Sequence, residues 1–156
     1  MSRTAQPVAR WAVATTFLLS LLGLGISIYL TITHFRPLLL VCSSTGTIDC
    51  AAVTTSAQSY FLGIPVAILG LANFAVLVAL NSPWAWRARF YWLHVTRFVL
   101  AIMGMVFVLW LLAAELLIID HICLWCTGVH VATFALLIVL TSVCPQQLGW
   151  SRSGTK

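Results

Sequence analysis

The chain has 156 residues, 62% hydrophobic and 7% charged, with a formal net charge of +5. Soluble domains carry about 25% charged residues, so this composition, with a mean hydropathy of +1.05, excludes an ordinary soluble domain and leaves an integral membrane protein. The basic excess reads as a membrane-orientation signal, and binding to nucleic acid is not expected.

Trp11 to His34 is the first apolar stretch. It exceeds the roughly 20 residues needed to cross a hydrocarbon core of about 30 Å. It is too long for the apolar region of a signal peptide and lacks a convincing small-residue cleavage site, so it is read as a retained helix. Residues 35–60, "FRPLLLVCSSTGTIDCAAVTTSAQSY", follow as the one sizeable extramembrane segment. Within it lie an apolar patch at Leu38 to Val41, a turn-rich run at Ser43 to Gly46, and Asp49 as N-cap of a short helix. A loop this long is usually functional, and its apolar patch suggests that it lies on the membrane surface or over the helices.

The second helix is expected from Phe61 to Leu80, opening on "FLGIP", with Pro65 in its first turn and Gly63 and Gly70 allowing close packing. The next loop, "NSPWAWRARFYWLHVTR", alternates aromatics with arginines, as an interfacial anchoring belt does. Phe98 to Ile119 and Ile122 to Val143 are the third and fourth apolar stretches. The expected fold is therefore all-α: one membrane domain over residues 1–156, a four-transmembrane-helix bundle with an outer capping loop or short helix between helices 1 and 2.

Arg3 and Arg10 precede helix 1; Arg87, Arg89 and Arg97 are assigned to the loop between helices 2 and 3; Arg152 and Lys156 follow helix 4. All seven fall on one side, which the positive-inside rule makes the cytoplasm, with both termini there and Arg36 the lone exception. Cys42, Cys50, Cys123 and Cys126 then share the outer, oxidising side. Cys144 lies 18 residues beyond Cys126, about 27 Å along a helix, and is expected to be a free, packed thiol on the inner side.

Cys123 and Cys126 stand one turn apart where a helix begins, where free N–H groups and the helix dipole favour a thiolate. A second pair, Cys42 and Cys50, sits in a loop on the same side. Such a pair could shuttle between an outside dithiol and the membrane-embedded pair by thiol–disulfide exchange. At the lip of an apolar bundle the natural electron acceptor is a lipid-soluble quinone, menaquinone or ubiquinone. Its reduction also consumes protons, which draws in His130, one turn beyond Cys126, and Glu115, near the outer end of helix 3. Phe61, His130 and Glu115 are the candidate quinone contacts. The plainer readings are a buried hydrogen bond for His130, snorkelling for Glu115 and an interfacial ring for Trp125. A His121/Cys123/Cys126 metal site, as in a membrane metal-carrier, and two purely structural disulfides are further alternatives; no metal is expected.

The Cys-x7-Cys loop after helix 1, Ser56 six residues beyond Cys50, "FLGIP", and the CxxC at the outer start of the last helix resemble the vitamin K epoxide reductase family in its bacterial branch. The likeness runs over roughly residues 11–143. It implies a helix bundle around a quinone, Cys126 facing that quinone and forming the catalytic disulfide with Cys123, and Cys50 exchanging with Cys123. It also implies that Cys42 receives electrons from a thioredoxin-fold (DsbA-like) protein, here a separate extracytoplasmic partner, and that Ser56 supports the loop. His130 stands where animal members carry a quinone-contacting tyrosine. Their pocket asparagine has no clear counterpart: Gln58 and Ser59 fall nearby, and Asn73 lies too deep in helix 2. The activity implied is thiol:quinone oxidoreduction at a bacterial cytoplasmic membrane in support of disulfide-bond formation. An endomembrane vitamin K epoxide or quinone reductase would share the cysteine layout.

Overall fold

The computed structural model describes residues 8–42, 45–88 and 90–147, with residues 144–147 in backbone only. Ser43, Arg3, Arg89, Arg152, Lys156 and the Cys144 side chain, on which parts of the turn, topology and thiol expectations rest, lie outside the described residues. In chain order the helices are α1 (Arg10–Phe35), α2 (Cys50–Thr54), α3 (Val66–Asn81), α4 (Pro83–Arg87), α5 (Tyr91–Ala114, continued by a π-helical turn, Glu115–Ile119) and α6 (Leu124–Gln147). A two-stranded hairpin, β1 (Tyr60–Phe61) and β2 (Ile64–Pro65), precedes α3.

The four long helices pack as a ring, α1 against α3 and α6, α5 against α6 and, most thinly, α3 against α5. Three segments are long and apolar enough to cross a membrane: Arg10–Phe35, Tyr91–Ile119 and Leu124–Val143. At 16 residues α3 is shorter, about 24 Å at 1.5 Å per residue.

Small and hydroxyl residues recur along the inner face of α1: Ala12, Thr16, Ser20, Gly23, Ser27, Leu30 and Thr33 are all buried. Such residues let helix backbones approach closely in an apolar medium. The hydroxyls of Thr16, Ser20 and Thr33 are satisfied within the helix, Thr16 donating to the Ala12 carbonyl at 2.8 Å and Ser20 to that of Thr16 at 2.7 Å. The core against this face is Phe74, Leu77, Ala101, Leu136 and Leu140. A Cβ on Gly23 would collide with the Phe74 ring. Gly23→Ala is therefore expected to cost about 1–3 kcal/mol of stability by overpacking, read as a lowered midpoint of thermal unfolding in detergent. An unchanged midpoint would mean that the ring swings aside freely.

Three boundaries differ from those expected. Helix 2 does not start at Phe61: "YFLGIP" forms the hairpin, with Leu62 at φ 52° and Gly63 at φ 81° in its two-residue turn. Consecutive positive φ values are those of a type I′ turn, which reverses a chain tightly and cannot continue a right-handed helix. Pro65 therefore caps α3 and does not form its first turn. Helix 3 starts at Tyr91, seven residues before Phe98, and so takes in Arg97. Arg97 is no loop charge. It is fully buried, its guanidinium 3.6 Å above the Trp86 ring and its Nε donating to the Leu80 carbonyl at 3.1 Å. Trp84 and Trp92 are exposed as a belt requires, but Trp86 is turned inward. Helix 4 starts at Leu124, which leaves Cys123 just ahead of its first turn.

Candidate functional site

Asp49 caps α2 as expected, its carboxylate accepting from the Ala52 amide at 3.0 Å. The segment ahead of it is stitched to the entry of α6. Ile122 donates its amide to the Thr47 carbonyl at 2.9 Å, and Asp49 donates to the Ile122 carbonyl at 3.2 Å, a parallel bridge centred on Ile48 and Ile122. Each of the bridged segments has a cysteine just beyond it, Cys50 and Cys123. Both are buried, at 1% and 0% exposure, in one cluster with Val53, and Leu40, Cys42, Ile119, Trp125 and Cys126 pack around it. Cys42 and Cys50 are joined by a disulfide, while Cys123 and Cys126 are free thiols.

Two aromatic residues hold the loop in place. The Tyr29 hydroxyl accepts from the Val41 amide at 2.7 Å and donates to the Leu39 carbonyl at 3.2 Å. Trp125 donates its indole N–H to the Val41 carbonyl at 2.9 Å and lies 4.5 Å from the Tyr29 ring. Trp125 thus fastens the apolar patch beside Cys42 and is more than an interfacial ring. Ser56 donates to the Val53 carbonyl at 2.8 Å, closing the C-terminal turn of α2.

Cys123 occupies the N-cap place of α6. Its carbonyl accepts from the Thr127 amide at 2.9 Å, and its sulfur accepts from the Cys126 amide at 3.3 Å. A sulfur so placed takes over an otherwise unpaired N–H of the first turn and meets the positive end of the helix. The Cys126 thiol beside it, helped by the amides of Cys126 and Trp125, holds the Cys123 thiol below its usual range despite burial.

Cys126 also borders a cavity of about 530 Å³ inside the ring of helices, to which Cys123 does not contribute. That volume suits a small ring-shaped ligand; typical sites run from about 300 to 1,000 Å³. The walls are almost wholly apolar, from Leu30 of α1, Val66 and Phe74 of α3, and Met103, Phe107 and Leu111 of α5. Phe61, Glu115, His130 and Ser56 all contribute to its lining, and so do Gln58 and Ser59. Phe61 sits edge-on to Phe107 at 5.3 Å and to Trp110 at 6.0 Å, so the hairpin caps the cavity toward α5. On the other side Tyr60 pairs with His34 of α1, oxygen to Nε2, at 3.0 Å.

Three polar side chains in this lining carry a buried atom with no hydrogen-bond partner: Asn73 Oδ1, Glu115 Oε2 and His130 Nδ1. Buried polar atoms are normally paired, so a ligand with polar groups at its ring edge fits here. A quinone carbonyl accepts and a quinol hydroxyl donates, and this set can answer both. Asn73 was expected too deep in its helix; it lies against Gly104 and Thr133 and belongs to the cavity wall. Its cue, an amide with seven apolar or glycine neighbours on each side in one helix, is visible in "VAILGLANFAVLVAL" but points to no particular ligand. His121 turns back to the Ile119 carbonyl, its Nδ1 at 2.9 Å. Among the described residues no three His, Cys, Asp or Glu side chains gather as a metal-ligand group.

The sequence model of the vitamin K epoxide reductase family matches residues 14–141, four-fifths of the chain. No curated protein matches the chain in a sequence search.

Proposed function

The chain belongs to the vitamin K epoxide reductase family of membrane oxidoreductases, and on that premise we propose that it is a thiol:quinone oxidoreductase of the bacterial cytoplasmic membrane. Electrons pass from the dithiol of a separate, extracytoplasmic thioredoxin-fold protein to Cys42 and Cys50, then to Cys123 and Cys126, and finally to a membrane quinone. All four long helices span the bilayer, α3 with its outer end completed by the hairpin, and the loop from Pro37 to Ser59 caps the site on the outer side. The quinone ring occupies the cavity, with Phe61, His130, Asn73 and Glu115 around it.

One observation carries this reading: the two thiols of a single CxxC divide their surroundings, Cys123 sealed in the cluster with Cys50 and Cys126 bordering both that cluster and an apolar cavity. A pair buried for packing alone has no use for that division. Arg10 and Arg87 at the ends of the helices away from the cysteines support the orientation.

Stoichiometry tests the reading. The purified chain is fully reduced, freed of reductant and mixed with a short-chain quinone, and the loss of quinone absorbance is followed. Each dithiol holds two electrons, so two outer cysteine pairs are expected to yield two quinols per chain, one promptly and one after internal exchange. A trace that stays flat with the thiols still reduced would overturn the assignment.

A further inference from the structure

Glu115 is 3% exposed, in a stretch from Phe98 to Ile119 otherwise built of apolar residues and one glycine. Burial that deep rules out snorkelling. It sits at the first position of the π-helical turn that ends at Ile119, the last turn before the left-handed Asp120. Such turns are rare and recur at functional sites. Its carboxyl interacts with the Cys123 amide and the Cys126 thiol, its Oε2 is buried without a hydrogen-bond partner, and the residue lines the cavity. An isolated buried carboxylate is costly in a membrane, and such groups persist where they are paired or in use. Among the described residues no Lys or Arg lines this cavity, and its titratable groups besides Glu115 are Cys126 and His130 of α6 and His34 of α1; α2 and α3 bring none to it. Of these groups the Cys126 thiol is the one that the Glu115 carboxyl touches, and it belongs to the cavity wall as the carboxyl does.

We propose that Glu115 is a catalytic residue that takes the proton of the Cys126 thiol and passes it toward the quinone, a role that rests on the thiol:quinone reading above. The carboxylate accepts the proton from Sγ of Cys126, leaving a thiolate beside a neutral carboxylic acid, so one negative charge is kept where two would repel. When the Cys123–Cys126 bond forms, the two thiols lose two electrons and two protons in all. The quinone takes up both electrons and both protons to become a quinol; one of those protons travels through Glu115, which lines the cavity where the ring lies. The amide of Cys123 stabilises the carboxylate between turnovers, and this explains why the acid is set against the start of α6 and not deeper.

The test separates thiol chemistry from quinone chemistry. In a Cys123→Ala background with the Cys42–Cys50 disulfide intact, Cys126 is the sole thiol beside the carboxyl. The rate of N-ethylmaleimide addition at Cys126 is read by peptide mass spectrometry across about pH 3 to 10, a range that brackets carboxyl and thiol titration. With Glu115 present the rate is expected to rise in two steps, the lower as the carboxyl loses its proton and the shared proton frees the sulfur. With Glu115→Gln one step is expected, and Glu115→Asp restores the second. In chains that keep all cysteines, Glu115→Gln is expected to slow quinol formation about 100-fold, within the range of general-base removal. Two steps in Glu115→Gln would overturn the proposal; should that variant fail to fold, a single step in Glu115→Asp would do the same. Two steps in the parent, together with no quinol from the wild-type chain, would instead sink the quinone assignment and leave proton sharing standing.

Discussion

Alanine at Cys126 is expected to cut quinone-dependent dithiol oxidation by about 10⁴-fold or more, the scale of loss when a covalent catalyst is deprived of its nucleophile. No other cysteine lines the cavity among the described residues: Cys123 is fully buried outside it, and Cys42 and Cys50 are tied to each other in the loop. Alanine at Cys123 should stop turnover as completely for a different reason. Cys126 then keeps its place in the cavity wall but has no neighbour with which to close a disulfide. The two variants separate in an absorption spectrum with quinone added: a thiolate–quinone charge-transfer band is expected in Cys123→Ala and not in Cys126→Ala. Turnover of Cys126→Ala within tenfold of the wild-type rate would refute the quinone-facing role.

Proline at Ile122 is expected to uncouple the two pairs while sparing the inner one. Its ring removes the N–H that now donates to the Thr47 carbonyl at 2.9 Å, one of the two hydrogen bonds that set Cys50 beside Cys123. The lost bond itself is small, about 1 kcal/mol. The larger effect is geometric, because a displacement near 1 Å between reacting groups can cost about 100-fold in rate. In the quinol-counting experiment the first quinol should form at the wild-type rate and the second about 100-fold later. Two quinols at wild-type rates would mean that the bridge does not govern exchange.

Much of this architecture is legible in the chain. The two loop cysteines pair in the disulfide that their spacing allows, and three of the four apolar stretches are helices long and apolar enough to cross a membrane. Where the reading slipped, the cause is local. "FLGIP" is apolar enough to pass for a helix start, and only the two positive φ values at Leu62 and Gly63 make it a hairpin. Arg97 looked like a topological charge because composition carries no sign of its stacking on Trp86 or its bond to the Leu80 carbonyl. Asn73 was judged by depth along its helix, whereas what matters is which neighbours it faces. Tyr29 and Trp125 lie 96 residues apart and clasp the same strand of loop, a relation that no local pattern encodes.

The burial of Cys50 and Cys123 has a consequence for how such a relay behaves among other thiols. Both are at 1% exposure or less, while Cys42 and Cys126 stay partly open at opposite ends of the row. The two middle sulfurs can react with each other but offer no face to a dissolved small thiol. The wiring is insulated along its length, with a terminal at each end. On the proposed electron route, leakage to bystanders is thereby limited to those two terminals, one behind the Tyr29–Trp125 clasp and the other at the wall of an apolar cavity.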